Sequence, residues 1–250
     1  MEEVAFKFDK QAAIVTGAGS GIGARIATLL AGSGARVALV DIDTAAAERV
    51  AAELPGGDAI VVGADASTEA GTARYLDAAV KAFGRVDLFA NNAGILGKPG
   101  LLVDASVADY EHTMGVNLRG AFLGLRDVIR QMLRQNHGGA IVCTASIAGL
   151  RGVPGAGLYS ASKFALISMT RTAAREYGGK GIRVNAICPA ATETNFSVLT
   201  NQQKSAYTSL IPMGRLGAAD DMARAAVWLL SDGAGYVNGA ILPVDGGQTA

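Results

Sequence analysis

The sequence is poor in the residues that form disulfide frameworks and metal centres. Its 250 residues include only two cysteines and two histidines. Cys143 and Cys188 each lie inside an apolar run, a setting that favours buried free thiols over a disulfide. His112 and His137 have no partner at ligand spacing, so we expect surface or loop positions for them rather than catalysis. The sequence therefore predicts neither a disulfide nor a metal site.

The sequence also lacks an excess of either positive or negative charge, and it lacks long apolar runs. The 22 basic side chains balance 22 acidic ones, whereas proteins that bind nucleic acids or membrane surfaces usually carry a basic excess. No stretch reaches the roughly 18 apolar residues of a membrane span. The acidic start of the chain lacks the pattern of a signal peptide. We therefore expect a cytoplasmic protein with no nucleic-acid or membrane partner.

Short apolar runs alternate with helical patterns along the chain. The runs are nearly continuous in apolar residues, as expected for a parallel sheet covered by helices on both faces. They lie at 11–17, 35–41, 58–65, 85–94, 138–146, 181–190 and 239–245. Helical patterns lie at 21–34, 44–54, 68–83, 106–135, 159–177 and 220–230. This alternation predicts a single α/β domain over 1–250, a doubly wound Rossmann fold with a mostly seven-stranded parallel sheet.

One segment, from about 191 to 215, interrupts this alternation. It is polar and follows the end of the sixth predicted strand. In open α/β sheets, ligands bind at the carboxyl ends of the strands. A long insertion at that edge is a candidate substrate lid.

A glycine-rich turn follows the first predicted strand. Such a turn lets the backbone approach a pyrophosphate, and the helix that follows offers free N–H groups and a partial positive charge. A glycine motif alone is weak support, but here a strand precedes it and an amphipathic helix follows it. The predicted dinucleotide contacts of this turn are Gly17, Gly19, Ser20, Gly21, Ile22 and Gly23.

Asp41 ends the second predicted strand and bears on the choice of cofactor. A carboxylate at this point can accept hydrogen bonds from the adenosine ribose, and it would repel the additional phosphate of NADP. Neither Ile42 nor Ser20 supplies a basic group for that phosphate. These residues predict NAD. The alternative is that Asp41 only caps the turn that follows it.

Two further strand ends carry candidate cofactor contacts. Asp65, followed by Ala66, can accept from the adenine amino group or cap the next helix, and both roles are compatible. Asn91 and Asn92 can tie neighbouring strands together. After them, Ala93 and Gly94 leave room for a ribose.

Taken together, these motifs resemble the classical short-chain dehydrogenase/reductase family, from about residue 9 to the end of the chain. The glycine turn fits the pattern Thr-Gly-x-x-x-Gly-x-Gly, and residues 91–94 fit Asn-Asn-Ala-Gly. Four residues fit the catalytic positions of the family: Asn117, Ser146, Tyr159 and Lys163. The cofactor contacts that the resemblance adds after the sixth strand are Pro189, Ala190, Thr192 and Thr194.

Ala190 is the one departure from the family pattern that bears on the site. The family usually has glycine after this proline. A methyl group at this position can crowd the nicotinamide pocket or restrict the hinge of the lid.

Tyr159 and Lys163 share one face of a predicted helix. A free phenol has a pKa of about 10, and a neighbouring ammonium together with a positive nicotinamide ring would lower it. Tyr159 would then exchange a proton with the substrate oxygen while Ser146 holds that oxygen. The resemblance implies that Lys163 also binds the nicotinamide ribose and that Asn117 holds a proton-relaying water. Taken singly, each of these residues has a common structural explanation. Tyr159 and Lys163 can form a surface pair on a helix, Ser146 can be an ordinary strand-end serine, and Asn117 can mark a helix kink or a buried cap.

The leading hypothesis is reversible NAD(H)-dependent oxidation of a secondary alcohol to a ketone, on a small, largely apolar or cyclic substrate. The predicted pocket is formed by 95–100, 146–157 and the 191–215 segment. Its mostly apolar candidates are Leu96, Leu150, Val153, Phe196, Leu199 and Met213.

Two other functions remain open. One is an NADP-dependent carbonyl reductase, which Asp41 argues against. The other is a non-catalytic protein that senses a dinucleotide, which the complete set of catalytic positions argues against. The resemblance also implies a homotetramer built through the two long helices and the C-terminal region, and the apolar content of 106–135 agrees with that.

Overall fold

The structure, a computed structural model, describes residues 6–56, 58–194, 196 and 200–250. Its main sheet has seven parallel strands in the order β3-β2-β1-β4-β5-β6-β9. These strands are β1 (Ala12–Thr16), β2 (Arg36–Asp41), β3 (Ala59–Gly63), β4 (Leu88–Asn91), β5 (Gly139–Thr144), β6 (Ile182–Pro189) and β9 (Ile241–Val244). Two short strands, β7 (Thr192–Glu193) and β8 (Gly217–Ala218), pair with each other. The predicted doubly wound fold with a seven-stranded parallel sheet is confirmed.

Helices cover both faces of the sheet. They are α1 (Gly21–Gly32), α2 (Thr44–Ala52), α3 (Glu69–Phe83), α4 (Val107–Met114), α5 (Gly120–Gln135), α6 (Gly157–Tyr177), α7 (Asn201–Ser209) and α8 (Ala219–Leu230). Short 3₁₀ turns lie at Leu102–Asp104, Ile147–Gly149, Gly178–Lys180 and Asp232–Ala234. One core cluster lies between the sheet and α3, α5 and α6, and a second lies between the sheet and α1, α2 and α8. Burial on both faces explains why the strands read as continuous apolar runs.

The order of the strands reverses between β1 and β4. β1 pairs with β2 on one side and with β4 on the other, so the connections diverge there and leave a crevice at the carboxyl ends. The glycine turn, Asp41, Asp65 and Asn91 all lie at this edge, each at or just after the end of a strand. The topology therefore gathers the predicted cofactor residues along one line.

The single long helix predicted at 106–135 is interrupted. α4 and α5 are joined by a π-helical turn, Gly115–Arg119. The wider turn contains Asn117, whose side chain is fully buried. π turns commonly mark functional sites, and this one contains Asn117, which the sequence predicts to be catalytic.

The 191–215 segment has more structure than the sequence indicated. It contains β7 and helix α7, and β7 pairs with β8 just beyond the segment. Helix α7 begins with a capping box in which the Thr200 hydroxyl accepts from the Gln203 N–H. None of its residues is buried, so this helix contributes little to the core.

Both cysteines are buried and free, as predicted. Burial raises the pKa of the Cys143 and Cys188 thiols to about 11, so both are protonated at neutral pH. His112 and His137 are exposed, also as predicted.

Arg183, near the start of β6, caps the end of α8. Its guanidinium donates to the carbonyls of Leu229 and Leu230 at 2.7 and 3.1 Å and to that of Ser231 at 3.0 Å. These carbonyls have no partner within the helix, and a cation there also interacts favourably with the helix dipole. We expect Arg183→Met to lower the free energy of unfolding by about 3 kcal/mol, because several charge-assisted bonds are lost.

Chemical denaturation would measure that loss. The matched control is Arg49→Met, since Arg49 is an exposed arginine with no ion pair or side-chain hydrogen bond recorded among the described residues. An Arg183→Met loss no larger than that of the control would contradict this capping role.

Candidate active site

A cavity of about 1210 Å³ runs along the carboxyl edge of the sheet. Most of the predicted site residues line it, including the turn, the strand ends and the Tyr159–Lys163 pair. Of the predicted cofactor and catalytic residues, Gly19, Gly23 and Asn117 do not line it. The structure thus brings the two halves of the predicted site, the glycine turn and the tyrosine, to one continuous cavity.

The glycine turn is shaped by close backbone approach. Gly17 and Gly21 have φ of 65° and 54°, a region that favours glycine. A Cβ atom at Gly23 would collide with the carbonyl oxygen of Gly17. Gly23 therefore supports the turn from behind instead of touching the cavity. This cradle of free backbone suits the pyrophosphate of a dinucleotide.

Asp41 is fixed by two backbone donors. Its carboxylate accepts from the N–H of Gly19 at 2.8 Å and from the N–H of Asp43 at 2.9 Å. Asp41 therefore caps its own turn and also lines the cavity, and its ribose contact stays a prediction. Each carboxylate oxygen keeps acceptor capacity for a ribose hydroxyl. Gly19 contributes by holding this carboxylate in place.

Asp65 does not cap helix α3, which corrects one of its two predicted roles. The cap is Thr68, whose hydroxyl accepts from the N–H of Gly71 at 3.0 Å. Asp65 instead accepts from the N–H of Ser67 at 2.9 Å. Its side chain lines the cavity beside Ala66, so the adenine role stays a prediction.

Of the two asparagines at the end of β4, Asn92 ties neighbouring strands together, whereas Asn91 bonds helix α5. The Asn92 amide donates to the carbonyl of Thr16 at 3.0 Å and accepts from the Thr144 hydroxyl at 2.9 Å. The Asn91 amide donates to the carbonyl of Ala121 at 2.9 Å. The expected link between adjacent strands is therefore present, and the Asn91 side chain is committed to the protein.

Tyr159, Lys163 and Ser146 meet at the other end of the cavity. The Lys163 ammonium is buried, donates to the carbonyl of Thr144 at 2.8 Å, and lies 5.6 Å from the centre of the Tyr159 ring. Ser146, after β5, accepts from the N–H of Ala148 at 3.1 Å. A Cβ at Gly94 would stand 3.2 Å from the side-chain oxygen of Asn117 and 3.5 Å from the Lys163 nitrogen, so the backbone of Gly94 lies close to both side chains.

The predicted lowering of the Tyr159 pKa is wrong for the protein residues by themselves. Burial raises the pKa of the phenol above its ordinary value, and hydrogen bonding with Ser146 only partly offsets that rise. Burial also lowers the pKa of Lys163 to about 8. Desolvation is the largest cause of both shifts. A positive ring bound beside Tyr159 would be the remaining source of stabilisation for the phenolate.

Asn117 lies one layer behind the cavity. Its side-chain oxygen accepts from the N–H of Ile95 at 2.8 Å, and its amide donates to the carbonyl of Ile95 at 2.8 Å and to Ser162 at 3.2 Å. The side chain is therefore engaged in holding the loop after β4 against α6. The water-holding role implied by the resemblance stays a prediction.

The substrate end is partly as predicted. The Phe196 ring lies 6.2 Å from the Tyr159 ring, and Leu96 and Val153 line the same wall. Leu150 packs against the core instead, and Met213 lines a separate cavity of about 260 Å³. Leu199 lies outside the described residues.

Ala190 causes no backbone strain. Among the described non-glycine residues, positive φ occurs only at Lys10 and Asn136. The Ala190 carbonyl accepts from the Thr192 hydroxyl at 2.9 Å, and the residue lines the cavity. Alanine therefore fits the backbone, and its methyl group adds apolar surface to the wall.

Sequence reasoning missed several polar residues of the cavity wall. They come from α4 with its π turn and from α7: Glu111, His112, Arg119, Gln203 and Tyr207. Gln203 and Tyr207 are four residues apart on α7, a spacing that would have identified them had the helix been recognised.

In the described part of the chain, no helix is long and apolar enough to cross a membrane. Several large apolar side chains are exposed between residues 101 and 133 and on α6: Leu101, Leu102, Val103, Val107, Tyr110, Phe122, Leu133 and Phe164. They agree with the expected oligomer interface. The homotetramer and the cytoplasmic location stay predictions.

Comparison with known proteins identifies the relatives of this chain. The sequence profile of a family described as enoyl-(acyl carrier protein) reductase matches residues 17–249. Levodione reductase from Leifsonia aquatica is 38% identical, covering 98% of this chain and 96% of that protein. Meso-2,3-butanediol dehydrogenase from Serratia marcescens is 35% identical, covering 98% of this chain and 96% of that protein.

A solved structure shows the same architecture. The crystal structure of 3-ketoacyl-(acyl-carrier-protein) reductase from Brucella melitensis, complexed with NADH, has a TM-score of 0.91 and 38% sequence identity. The match covers 97% of this chain and 99% of that one. With the family profile and the curated relatives, it confirms the resemblance drawn from the motifs. The chain belongs to the short-chain dehydrogenase/reductase family of oxidoreductases.

Proposed function

We propose that this protein catalyses the reversible NAD(H)-dependent oxidation of a secondary alcohol to a ketone. The observation that carries the proposal is the continuity of one cavity from Asp41 to Tyr159. A dinucleotide along this line would have its ribose at one end and its reactive ring beside the phenol. This placement gives the glycine turn, Asp41 and Tyr159 their proposed roles.

In the oxidative direction, bound NAD would supply the hydride acceptor. The Ser146 hydroxyl donates to the substrate oxygen and fixes it near the phenol. Tyr159 removes the hydroxyl proton as general base, and in reduction it returns the proton to the carbonyl oxygen. Lys163, held by Thr144, keeps a positive charge beside the phenolate. Its pKa of about 8 leaves it protonated at neutral pH.

The preference for NAD rests on the charge at Asp41. The carboxylate faces the cavity at the end of β2, next to Ser20 and Ile42. Neither neighbour can neutralise a phosphate on the ribose. That the Brucella melitensis reductase was crystallised with NADH agrees with this choice.

The substrate wall supports a small, largely apolar substrate. Leu96, Val153 and Phe196 surround the space in front of Tyr159, while Gln203 and Tyr207 add polar groups. Two relatives are named for levodione and meso-2,3-butanediol, which are small carbonyl and hydroxyl compounds. A compact ring or chain bearing a hydroxyl or a ketone fits this wall best.

The proposal is tested with a panel of secondary alcohols and ketones, cyclic ones included, assayed with NAD(H) and with NADP(H) by nicotinamide absorbance. We expect turnover of several members with NAD(H) and little with NADP(H). Faster turnover with NADP(H) would favour the carbonyl reductase alternative. Tight NADH binding with no turnover of any member would favour the non-catalytic one.

A further inference from the structure

Arg119 is a cation of the cavity wall to which the proposed reaction gives no role. It is the last residue of the π turn between α4 and α5, and its side chain is exposed toward the cavity. The cavity residues near it are those at the end of β3, not those of the tyrosine end.

A hydrogen bond and a glycine fix the direction of the side chain. The Arg119 Nε donates to the carbonyl of Ser67 at 3.0 Å. A Cβ at Gly115 would stand 3.2 Å from an Nη atom of Arg119, so the guanidinium folds over the bare backbone of Gly115. The terminal nitrogens keep donors that Ser67 does not use.

Within the part of the chain that the structure describes, no carboxylate forms an ion pair with this guanidinium. Among the ion pairs of the described residues, none includes Arg119, whereas Arg126 on the same helix pairs with Asp127 and Glu69. An arginine held by a backbone carbonyl and left without a counter-ion at a cavity wall is suited to a ligand.

The order of the strands indicates which part of a bound dinucleotide Arg119 would contact. The glycine turn follows β1, Asp41 ends β2, and Ser67 lies just beyond β3, next to β2. Neighbouring strands are about 4.8 Å apart, so β1 and β3 lie roughly 10 Å from each other across the sheet. The bond to Ser67 places Arg119 on the β3 side. A dinucleotide with its pyrophosphate at β1 and its ribose at β2 has its adenine at β3.

We propose that Arg119 binds the adenine ring of the dinucleotide. This inference rests on the proposed function. The guanidinium packs against the purine or donates to a ring nitrogen, opposite the acceptor that Asp65 offers to the amino group. Arg119 is therefore an affinity residue for the adenosine half and does not touch the reacting atoms.

Arg119→Leu and Arg119→Lys test the proposal, with Arg130→Leu as the matched control. Arg130 is an exposed arginine of α5 that pairs with Asp127 and does not line the cavity. The readouts are the Kd of NADH by fluorescence, the Ki of adenosine against NADH, and kcat at saturating cofactor. Thermal melting establishes that each variant is folded.

We expect Arg119→Leu to weaken NADH and adenosine by the same factor, about 5- to 10-fold, as found for cation–aromatic contacts. Arg119→Lys should recover part of the loss, and Arg130→Leu and kcat should change less than about twofold. Unchanged NADH affinity in folded Arg119→Leu would overturn the inference. So would a loss for NADH but not for adenosine, since it would place the contact at a phosphate. If the wild-type protein did not bind NADH, the proposed function itself would fail.

Discussion

Replacing Tyr159 with phenylalanine should reduce kcat by about 10³-fold or more, since general acid–base catalysis typically contributes 10²–10⁴-fold and phenylalanine cannot exchange a proton. The aromatic ring stays, and with it the packing against Phe196. Only the hydroxyl that Ser146 faces is lost. The Kd of NADH should therefore change little, so the effect falls on kcat.

Steady-state kinetics and NADH fluorescence separate these two quantities. The matched control is Tyr177→Phe, which makes the same change on the same helix at a residue that does not line the cavity. Full turnover by Tyr159→Phe would remove Tyr159 from the chemistry and would contradict the proton-transfer role proposed for it.

The overall fold was accessible from the sequence because its signals are local. Each strand of the main sheet is a short apolar run, and helices begin or end at glycine or a capping residue, as with Thr68 before α3 and Gly84 after it. The parallel sheet followed from the same runs, since only strands covered on both faces lack alternation. The π turn at Gly115–Arg119 gives no such signal, because its periodicity differs from that of an α-helix by a single residue.

The site residues also fall into those with a local sequence signal and those without one. Residues at strand ends, such as Asp41 and Ser146, could be predicted because the topology sends every carboxyl end to one edge. Arg119 and Tyr207 reach that edge only through the packing of α5 and α7, which no local pattern specifies. The direction of the Tyr159 pKa shift was missed for a related reason. Helical spacing places Lys163 near the phenol, but the degree of burial depends on the whole fold.

The choice between NAD and NADP should depend on the charge of one side chain. Asp41→Asn keeps an oxygen that can accept from Gly19 and removes the negative charge. Two unit charges about 4 Å apart interact by about 4 kcal/mol at an effective dielectric of 20. Allowing for screening, we expect kcat/KM for NADP(H) to rise by about 100-fold and kcat/KM for NAD(H) to fall by several-fold.

Asp43→Asn is the matched control for this prediction. Asp43 lies two residues further on, caps α2 by accepting from the N–H of Ala46, and does not line the cavity. Removing its charge alters the local field without touching the ribose position. If the two variants changed the cofactor ratio equally, the preference would come from net charge near the turn rather than from a contact. If the ratio of kcat/KM for NADP(H) to kcat/KM for NAD(H) changes only in Asp41→Asn, the carboxylate of Asp41 distinguishes the two cofactors. Because the N–H of Gly19 holds this carboxylate, the glycine turn and Asp41 then act together in recognising the cofactor.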